Sequence, residues 1–167
     1  IEQTLSERHG VMKSEDLLQE LSLESKKERG ALLAFLEALS IVKEEKMTKE
    51  YERLYRLKSF SLTRFKKIKD KAKAILEEVQ DALEADDLYA RFKKVDAEVT
   101  REELFDMLSV SREVKQNVFG KWGLSGWSDI KPRGTREKAH LVLKTSGRPL
   151  HFREIADLID SYGLQKK

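Results

Sequence analysis

The sequence contains no cysteine and only three histidines, His9, His140 and His151. Disulfide bonds, thiolate zinc sites and thiol nucleophiles are therefore excluded, and because no two histidines lie at ligand spacing, we expect no metal site. Long apolar runs are missing too, since none approaches the ~20 residues that a membrane helix needs, and the first residues lack a signal-peptide core. We expect a cytoplasmic protein without a membrane partner.

Glycine and proline are scarce, with eight and two residues, which excludes collagen-like and low-complexity chains. Charged residues make up 38% of the 167 residues and hydrophobic residues 40%, whereas a typical charged fraction is ~25%. A composition this polar favours several small units over one large core. Because the first residue is Ile1, we expect the chain to be a piece of a longer protein.

Motifs of catalysis are also missing. The sequence has no glycine-rich phosphate loop, no His-Glu-x-x-His and no Gly-x-Ser-x-Gly. Adjacent acidic pairs occur at Glu77-Glu78 and Asp86-Asp87, but neighbouring helical side chains point about 100° apart and do not converge. We therefore expect no enzyme activity, no cofactor and no small-molecule substrate.

Charge is distributed in three bands, although the net charge is only +3. Residues 49–73 contain ten Lys and Arg against three acidic residues, residues 76–106 contain four against eleven, and residues 107–153 contain ten against three. Two basic zones around an acidic zone favour contact with a polyanion together with a separate partner surface. The alternative interpretation is that these charges lie on ordinary solvated helix faces.

The first sixty residues show a helix that ends at Gly10, a short extended piece at 11–13 and a helix that begins at Ser14. A further helix follows, with Leu32, Phe35, Leu36 and Leu39 on one face. Residues 41–57 then combine β-forming and aromatic residues around a charged turn, which predicts a hairpin. A helix over 48–58 is the alternative, because Tyr51, Leu54 and Tyr55 also fit a helical period.

The next passage repeats this order. Residues 62–80 predict a long helix, and a shorter helix is expected near 84–93. Thr100 followed by Glu103 predicts a capping box at the start of a third helix. The glycines and aromatics of 119–124 predict a second hairpin. The apolar stripe of the long helix consists of Phe65, Ile68, Ala72, Ile75, Leu76 and Val79.

The last passage contains two predicted helices. The first begins at Thr135 and ends at Gly147, and Pro149 keeps the following residues extended. His151 is the expected cap of the second helix. The residues expected on the buried sides are Ala139, Val142 and Leu143 of the first helix and Phe152, Ile155, Ala156, Leu158 and Ile159 of the second.

These elements predict a mainly α fold with short β-hairpins, arranged as tandem winged helix-turn-helix units of which the last is incomplete. The predicted units are residues 1–60, residues 62–130 and residues 135–167. The last unit lacks the third helix, which is the element that enters the major groove of DNA in a helix-turn-helix.

Three stretches of the last unit, Thr135–Ala139, Val142–Lys144 and Ser146–Ala156, resemble the first half of the HARE-HTH domain. This winged-helix family includes the delta subunit of bacterial RNA polymerase and also occurs in chromatin and restriction proteins. Residues 119–124, with Trp127 and 130–133, are similar to the segment that precedes this domain in certain sigma-70-like bacterial proteins. The resemblance implies the accessory tail of a sigma factor, which binds DNA weakly or non-specifically, contacts RNA polymerase, or does both.

Contact with DNA requires cations that neutralise phosphates, together with a third helix that reaches the groove. In the second unit the third helix contains Arg101 beside Glu102, Glu103 and Asp106, so we expect it to bind protein or to pack within the chain. The expected DNA-binding residues are Lys26, Lys27 and Arg29 on the third helix of the first unit, Lys43, Lys46, Arg53 and Arg56 on its hairpin, and Arg112, Lys115 and Lys121 on the second hairpin.

Two questions stay open from the sequence. Trp122 and Trp127 are either stacking platforms for a partner or cover for a small core, and the neighbouring glycines favour the second interpretation. The alternative function is a protein-docking or structural helical scaffold without nucleic-acid binding. The oligomeric state is not predicted.

Overall fold

The structure is a computed structural model that describes residues 2–22, 26–39 and 42–165. It is mainly helical with two small antiparallel sheets, which confirms the general fold class. The helices are α1 (Glu2–Glu7), α2 (Ser14–Glu20), α3 (Lys26–Leu39), α4 (Leu62–Val79), α5 (Ala85–Val95), α6 (Arg101–Val110), α7 (Thr135–Ser146) and α8 (Phe152–Ser161). The strands are β1 (Val11–Lys13), β2 (Val42–Glu45), β3 (Leu54–Leu57), β4 (Val114–Gln116) and β5 (Trp122–Leu124).

The first segment, which we define as residues 2–60, holds a three-stranded antiparallel sheet in the order β1-β3-β2. Residues 42–57 form the predicted hairpin, with Lys43 opposite Arg56. The helical alternative for 48–58 is therefore wrong. Gly10 has a φ of +86° in the turn between α1 and β1, a conformation that glycine adopts without steric cost.

The second segment, which we define as residues 62–130, has the same order of elements. Helices α4, α5 and α6 are followed by the antiparallel pair β4 and β5. Leu83, between α4 and α5, forms an antiparallel bridge with Trp122 of β5 through hydrogen bonds of 2.9 and 2.7 Å. This bridge occupies the place that β1 has in the first segment, so both segments contain a helix, an extended residue or strand, two helices and a hairpin.

Local signals set the helix ends in the second segment. Ser61 caps α4 by accepting a hydrogen bond from the amide of Arg64. Thr100 accepts one from the amide of Glu103 and so caps α6, as expected. The Glu103 carboxylate, however, does not complete the predicted capping box, because it accepts two hydrogen bonds of 2.6 and 3.0 Å from the Arg64 guanidinium.

The sheet of the first segment contributes to two hydrophobic clusters. Val11 and Leu54 belong to the larger cluster, which also contains the predicted stripe of α4 except Val79, together with the buried sides of α5 and α6. The neighbouring residues Met12 and Tyr55 belong to a smaller cluster with Leu5 of α1 and residues of α2 and α3. Successive strand residues point to opposite faces, so this short sheet lies between the two clusters. The unit boundary near residue 61 stays a prediction.

The third segment, which we define as residues 135–165, consists of α7 and α8. Leu141 and Val142 of α7 are buried. The expectation of a buried side on α8 is wrong, because no residue of this helix is buried and Phe152 is 68% exposed. The amphipathic pattern identified an apolar face correctly. In the described part of the chain, however, α8 packs mainly along α7 and has only weak contacts with other elements.

Candidate nucleic-acid interface

The three cations expected on the third helix of the first segment lie in the first turn of α3, which begins at Lys26. Lys27 is exposed, whereas the side chains of Lys26 and Arg29 lie outside the described ones. Leu36 anchors the helix in the smaller cluster, and Phe35 beside it is 58% exposed. The helix thus turns one side to the core and keeps another open to solvent.

Two of the four cations predicted on the β2–β3 hairpin, Lys43 and Arg53, lie in surface ion pairs. Lys43 lies 3.1 Å from Glu45 and Arg53 lies 3.2 Å from Glu44, with the two cations 56% and 62% exposed. Lys46 is also exposed, and within the described residues it has no ion pair. Both cations are exposed, although Glu45 and Glu44 are only 16% and 24% exposed, so Lys43 and Arg53 can also reach a phosphate from the solvent side.

Arg56 has a different environment from the other hairpin cations. Its side chain is 13% exposed and bonds to Glu45 at 2.8–2.9 Å and to the carbonyls of Leu57 and Phe60. Partial burial raises the pKa of Glu45, but hydrogen bonds from Lys43 and Arg56 outweigh it and bring this pKa below 4.5. Arg56 therefore stabilises the hairpin from inside, where it does not face a phosphate.

Two cations of the second hairpin region converge on one carboxylate. The Lys115 ammonium lies 2.7 Å from Glu52, and the Arg112 guanidinium lies 3.7 Å from the same carboxylate. Burial raises the pKa of Glu52, but the hydrogen bond from Lys115 and the two positive charges lower it below 4.5. Lys121 is not part of this group, because it pairs with Glu84 at 3.5 Å.

The third helix of the second segment is covered by the first segment. Helix α6 packs against β1, and its Asp106 carboxylate lies 2.7 Å from the His9 ring and 3.6 Å from Arg8. Beyond the end of α6, Ser111 forms an antiparallel bridge with Tyr51. The helix is therefore packed within the chain, as its acidic character indicates, and is not presented to a groove.

Trp122 covers a core rather than offering a free stacking face. Its side chain is 6% exposed, and its ring centroid lies 5.2 Å from that of Phe105. The neighbouring Gly123 is required by close packing, because a Cβ atom there would lie 2.7 Å from Ile130 and 2.9 Å from the Trp127 ring. The glycines of this hairpin thus serve packing as well as the turn.

His151 forms the predicted cap of α8. Its ring accepts from the amide of Arg153, and the Glu154 carboxylate accepts from the amide of His151 at 2.8 Å, which completes a capping box. His140 is exposed on α7. Within the described residues, no three His, Asp or Glu side chains group in a way that could hold a metal ion.

One charged cluster was missed by the sequence reasoning. Lys69 of α4 is 2% exposed, and its ammonium bonds to Glu113 and lies 3.2 Å from Asp70 and 3.6 Å from Glu50. Lys73 bonds to the same Glu113 at 2.9 Å. The signal was present in the sequence, because Lys69 follows Phe65 by four residues and so lies on the apolar stripe of α4.

Among the helices that the structure describes, none combines the length and the apolar character needed to cross a bilayer. Comparison of the chain with protein-family models, with curated proteins and with solved structures found no match in any of the three.

Proposed function

We propose that this chain is a cytoplasmic, transcription-associated module of a sigma-factor-like bacterial protein, built from tandem winged-helix units with the last one incomplete. Its first unit binds duplex DNA weakly and without sequence preference, and the module also contacts RNA polymerase. The observation that carries the proposal is the difference between the two third helices. Helix α3 keeps a side open with Lys27 exposed, whereas α6 is packed against β1.

The topology supports the winged-helix part of the proposal. The order helix, strand, two helices and a hairpin, with the sheet order β1-β3-β2, is the one expected of a winged helix-turn-helix. In that fold the third helix lies in the major groove. In this chain the β2–β3 connection packs against the second segment through Tyr51 and Thr48, so the hairpin offers phosphates only its exposed cations. Lys43, Lys46 and Arg53 lie on this hairpin with their side chains exposed.

The types of side chain on α3 and the hairpin favour contact with the phosphate backbone of DNA over contact with base edges. The described residues of α3 and the hairpin include no Asn or Gln, the amide side chains that recognise adenine in the major groove. Phosphate contacts position a protein on DNA without selecting a sequence. The expected affinity is therefore weak, strongly dependent on salt and similar for unrelated duplexes.

Charge reversal at the start of α3 tests this proposal. The variant Lys26→Glu/Lys27→Glu/Arg29→Glu is expected to bind a 20-base-pair duplex about tenfold less tightly at low salt, because phosphate attraction becomes repulsion. Binding is measured by mobility shift and by fluorescence anisotropy. Far-UV circular dichroism checks that the variant is folded.

The matched control reverses three exposed cations of α5, with Arg91→Glu/Lys93→Glu/Lys94→Glu. These side chains are exposed, so the control changes the net charge by the same amount without altering α3. Equal binding by the α3 variant and the wild-type chain would remove α3 from the interface. An equal loss of DNA affinity in both variants would show that the effect comes from the net charge of the chain and not from the position of α3.

Protein docking is the second candidate function, and α8 favours it. Phe152 is 68% exposed and Tyr162, which follows the helix, is 40% exposed. They lie at opposite ends of α8, and the ring centroid of Tyr162 lies 4.6 Å from that of Phe119. Phe152 is therefore the exposed apolar side chain that favours a protein contact. This candidate predicts a partner interaction that hardly changes with salt, in contrast to the phosphate contacts of α3.

A further inference from the structure

A cleft of about 560 Å³ lies between the first and second segments. Its volume falls within the ~300–1,000 Å³ range of ligand pockets. Glu52 comes from the first segment, and all other lining residues come from the region between α6 and α7. The lining residues are Glu52, Arg112, Lys115, Gln116, Ser125, Gly126, Ile130, Lys131 and Arg133.

The cleft is strongly cationic. Four of its lining side chains are Arg or Lys, against the single carboxylate of Glu52, so its net charge is about +3 at neutral pH. Lys131 and Arg133 are exposed, and neither has an ion pair within the described residues. Of the acidic residues close to them in sequence, Asp129 pairs with Lys144 at 2.6 Å, and Glu137 accepts a hydrogen bond from the backbone amide of Arg133.

The Glu52 carboxylate lies between two cations of the cleft. Its two oxygens face Lys115 at 2.7 Å and Arg112 at 3.7 Å. Arg112 also donates to the carbonyl of Thr48 at 2.7 Å, which holds its guanidinium at the wall of the cleft. A planar guanidinium and an ammonium held around one carboxylate form an arrangement that also suits a phosphate.

We propose that this cleft is a second contact site for the phosphodiester backbone of duplex DNA, formed by Arg112, Lys115, Lys131 and Arg133. The site rests on the proposed function, because it assigns a further part of the chain to the same ligand. Glu52 competes with the phosphate for Lys115 and Arg112 and so weakens the contact. The second segment and residues 131–134 that follow it thus contact DNA through this cleft, although the third helix of the segment is covered.

The test uses the full chain and a duplex of unrelated sequence. The variant Lys131→Ala/Arg133→Ala is expected to lower the affinity about tenfold at low salt and to reduce the slope of log K against log salt by about two. The loss should be the same for duplexes of different sequence, since backbone contacts carry no sequence information. The variant Glu52→Gln is expected to bind more tightly and to steepen the slope by about one.

The control is Lys93→Ala/Lys94→Ala, which removes two exposed cations of α5 and should leave both affinity and slope close to wild type. If the Lys131→Ala/Arg133→Ala variant matches this control while the α3 charge reversal still weakens binding, the assignment of the cleft as a DNA contact is wrong and the proposed function stands. If the wild-type chain fails to bind DNA at low salt, both are wrong. Binding of inorganic pyrophosphate in the cleft without competition from DNA would identify a site for small phosphates and overturn the backbone assignment.

Discussion

Replacing Leu54 with alanine is expected to lower the free energy of unfolding by about 2–5 kcal/mol, the range for removing a large aliphatic side chain from a core. Leu54 is 1% exposed and, although it lies in β3, its side chain belongs to the larger cluster with α4, α5 and α6. Such a loss is a large part of the 5–15 kcal/mol that stabilises a typical domain.

The two tryptophans make this prediction specific. Trp122 and Trp127 are the only tryptophans of the chain, and both lie in the second segment. Urea unfolding followed by their fluorescence therefore reports on the second segment alone. Because the sheet of the first segment contributes to the core of the second, Leu54→Ala should shift this transition to lower urea.

The matched control is Met47→Ala. Met47 lies in the connection that leads from β2 to β3 and is 58% exposed, so replacing it with alanine should change the stability by less than about 0.5 kcal/mol. A tryptophan transition unchanged by Leu54→Ala, with loss of far-UV signal at lower urea, would show that the two segments unfold independently. That result would contradict the shared core.

Substituting Glu113 with glutamine is expected to lower the stability at neutral pH by about 1.5–3 kcal/mol, the range for hydrogen bonds to charged groups. Glu113 neutralises the nearly buried Lys69 and also binds Lys73. Lys69→Met should cost less, because the methionine fills similar volume and the remaining Glu113 carboxylate still pairs with Lys73.

The direction of the pH dependence follows from the same contacts. Hydrogen bonds from Lys69 and Lys73 outweigh burial and lower the pKa of Glu113 below its ordinary value of 4.5. A carboxylate whose pKa is lower in the folded state stabilises that state at pH values above 4.5. This stabilisation is lost as the pH falls through the folded-state pKa. The stability difference between the wild-type chain and Glu113→Gln should therefore shrink below about pH 4.5.

Urea unfolding of both chains between pH 7 and pH 3 provides the measurement. The reference variant is Glu78→Gln, which removes an exposed carboxylate of α4 outside this cluster. A constant difference between wild type and Glu113→Gln across this pH range would show that the Lys69 cluster does not contribute through ionisation.

Features that depend on neighbouring residues could be predicted from the sequence. The stripe of α4 was correct because Phe65, Ile68 and Ala72 recur at the helical period, and all of them are buried. The caps at Thr100 and His151 were correct for the same reason, since the donor and acceptor are separated by only two or three residues.

Features that depend on distant residues could not be predicted. The carboxylate of Glu52 meets Lys115, which is 63 residues away, and Asp106 meets His9 across 97 residues. No local pattern specifies such pairs, because they form only when the segments dock. The environment of Arg56 could not be predicted for the same reason, since a charged residue in a hairpin gives no indication of the carbonyls around it.

The exposed face of α8 shows a further limit. Its apolar residues recur on one side, and the sequence therefore predicted burial. Periodicity identifies which residues share a face but not which element covers it. The structure places Phe152 in solvent, so this pattern alone does not establish what the helix contacts.

The central claim is that the chain holds DNA through its phosphates, and the dependence of duplex affinity on salt tests it most directly. We expect the log of the association constant to fall linearly with the log of the salt concentration between 25 and 200 mM. The slope of this line should be about −0.9 for each phosphate contacted. Two duplexes of unrelated sequence should give the same slope and similar affinities. An affinity that does not change with salt, or the absence of binding at 25 mM salt, would contradict the account.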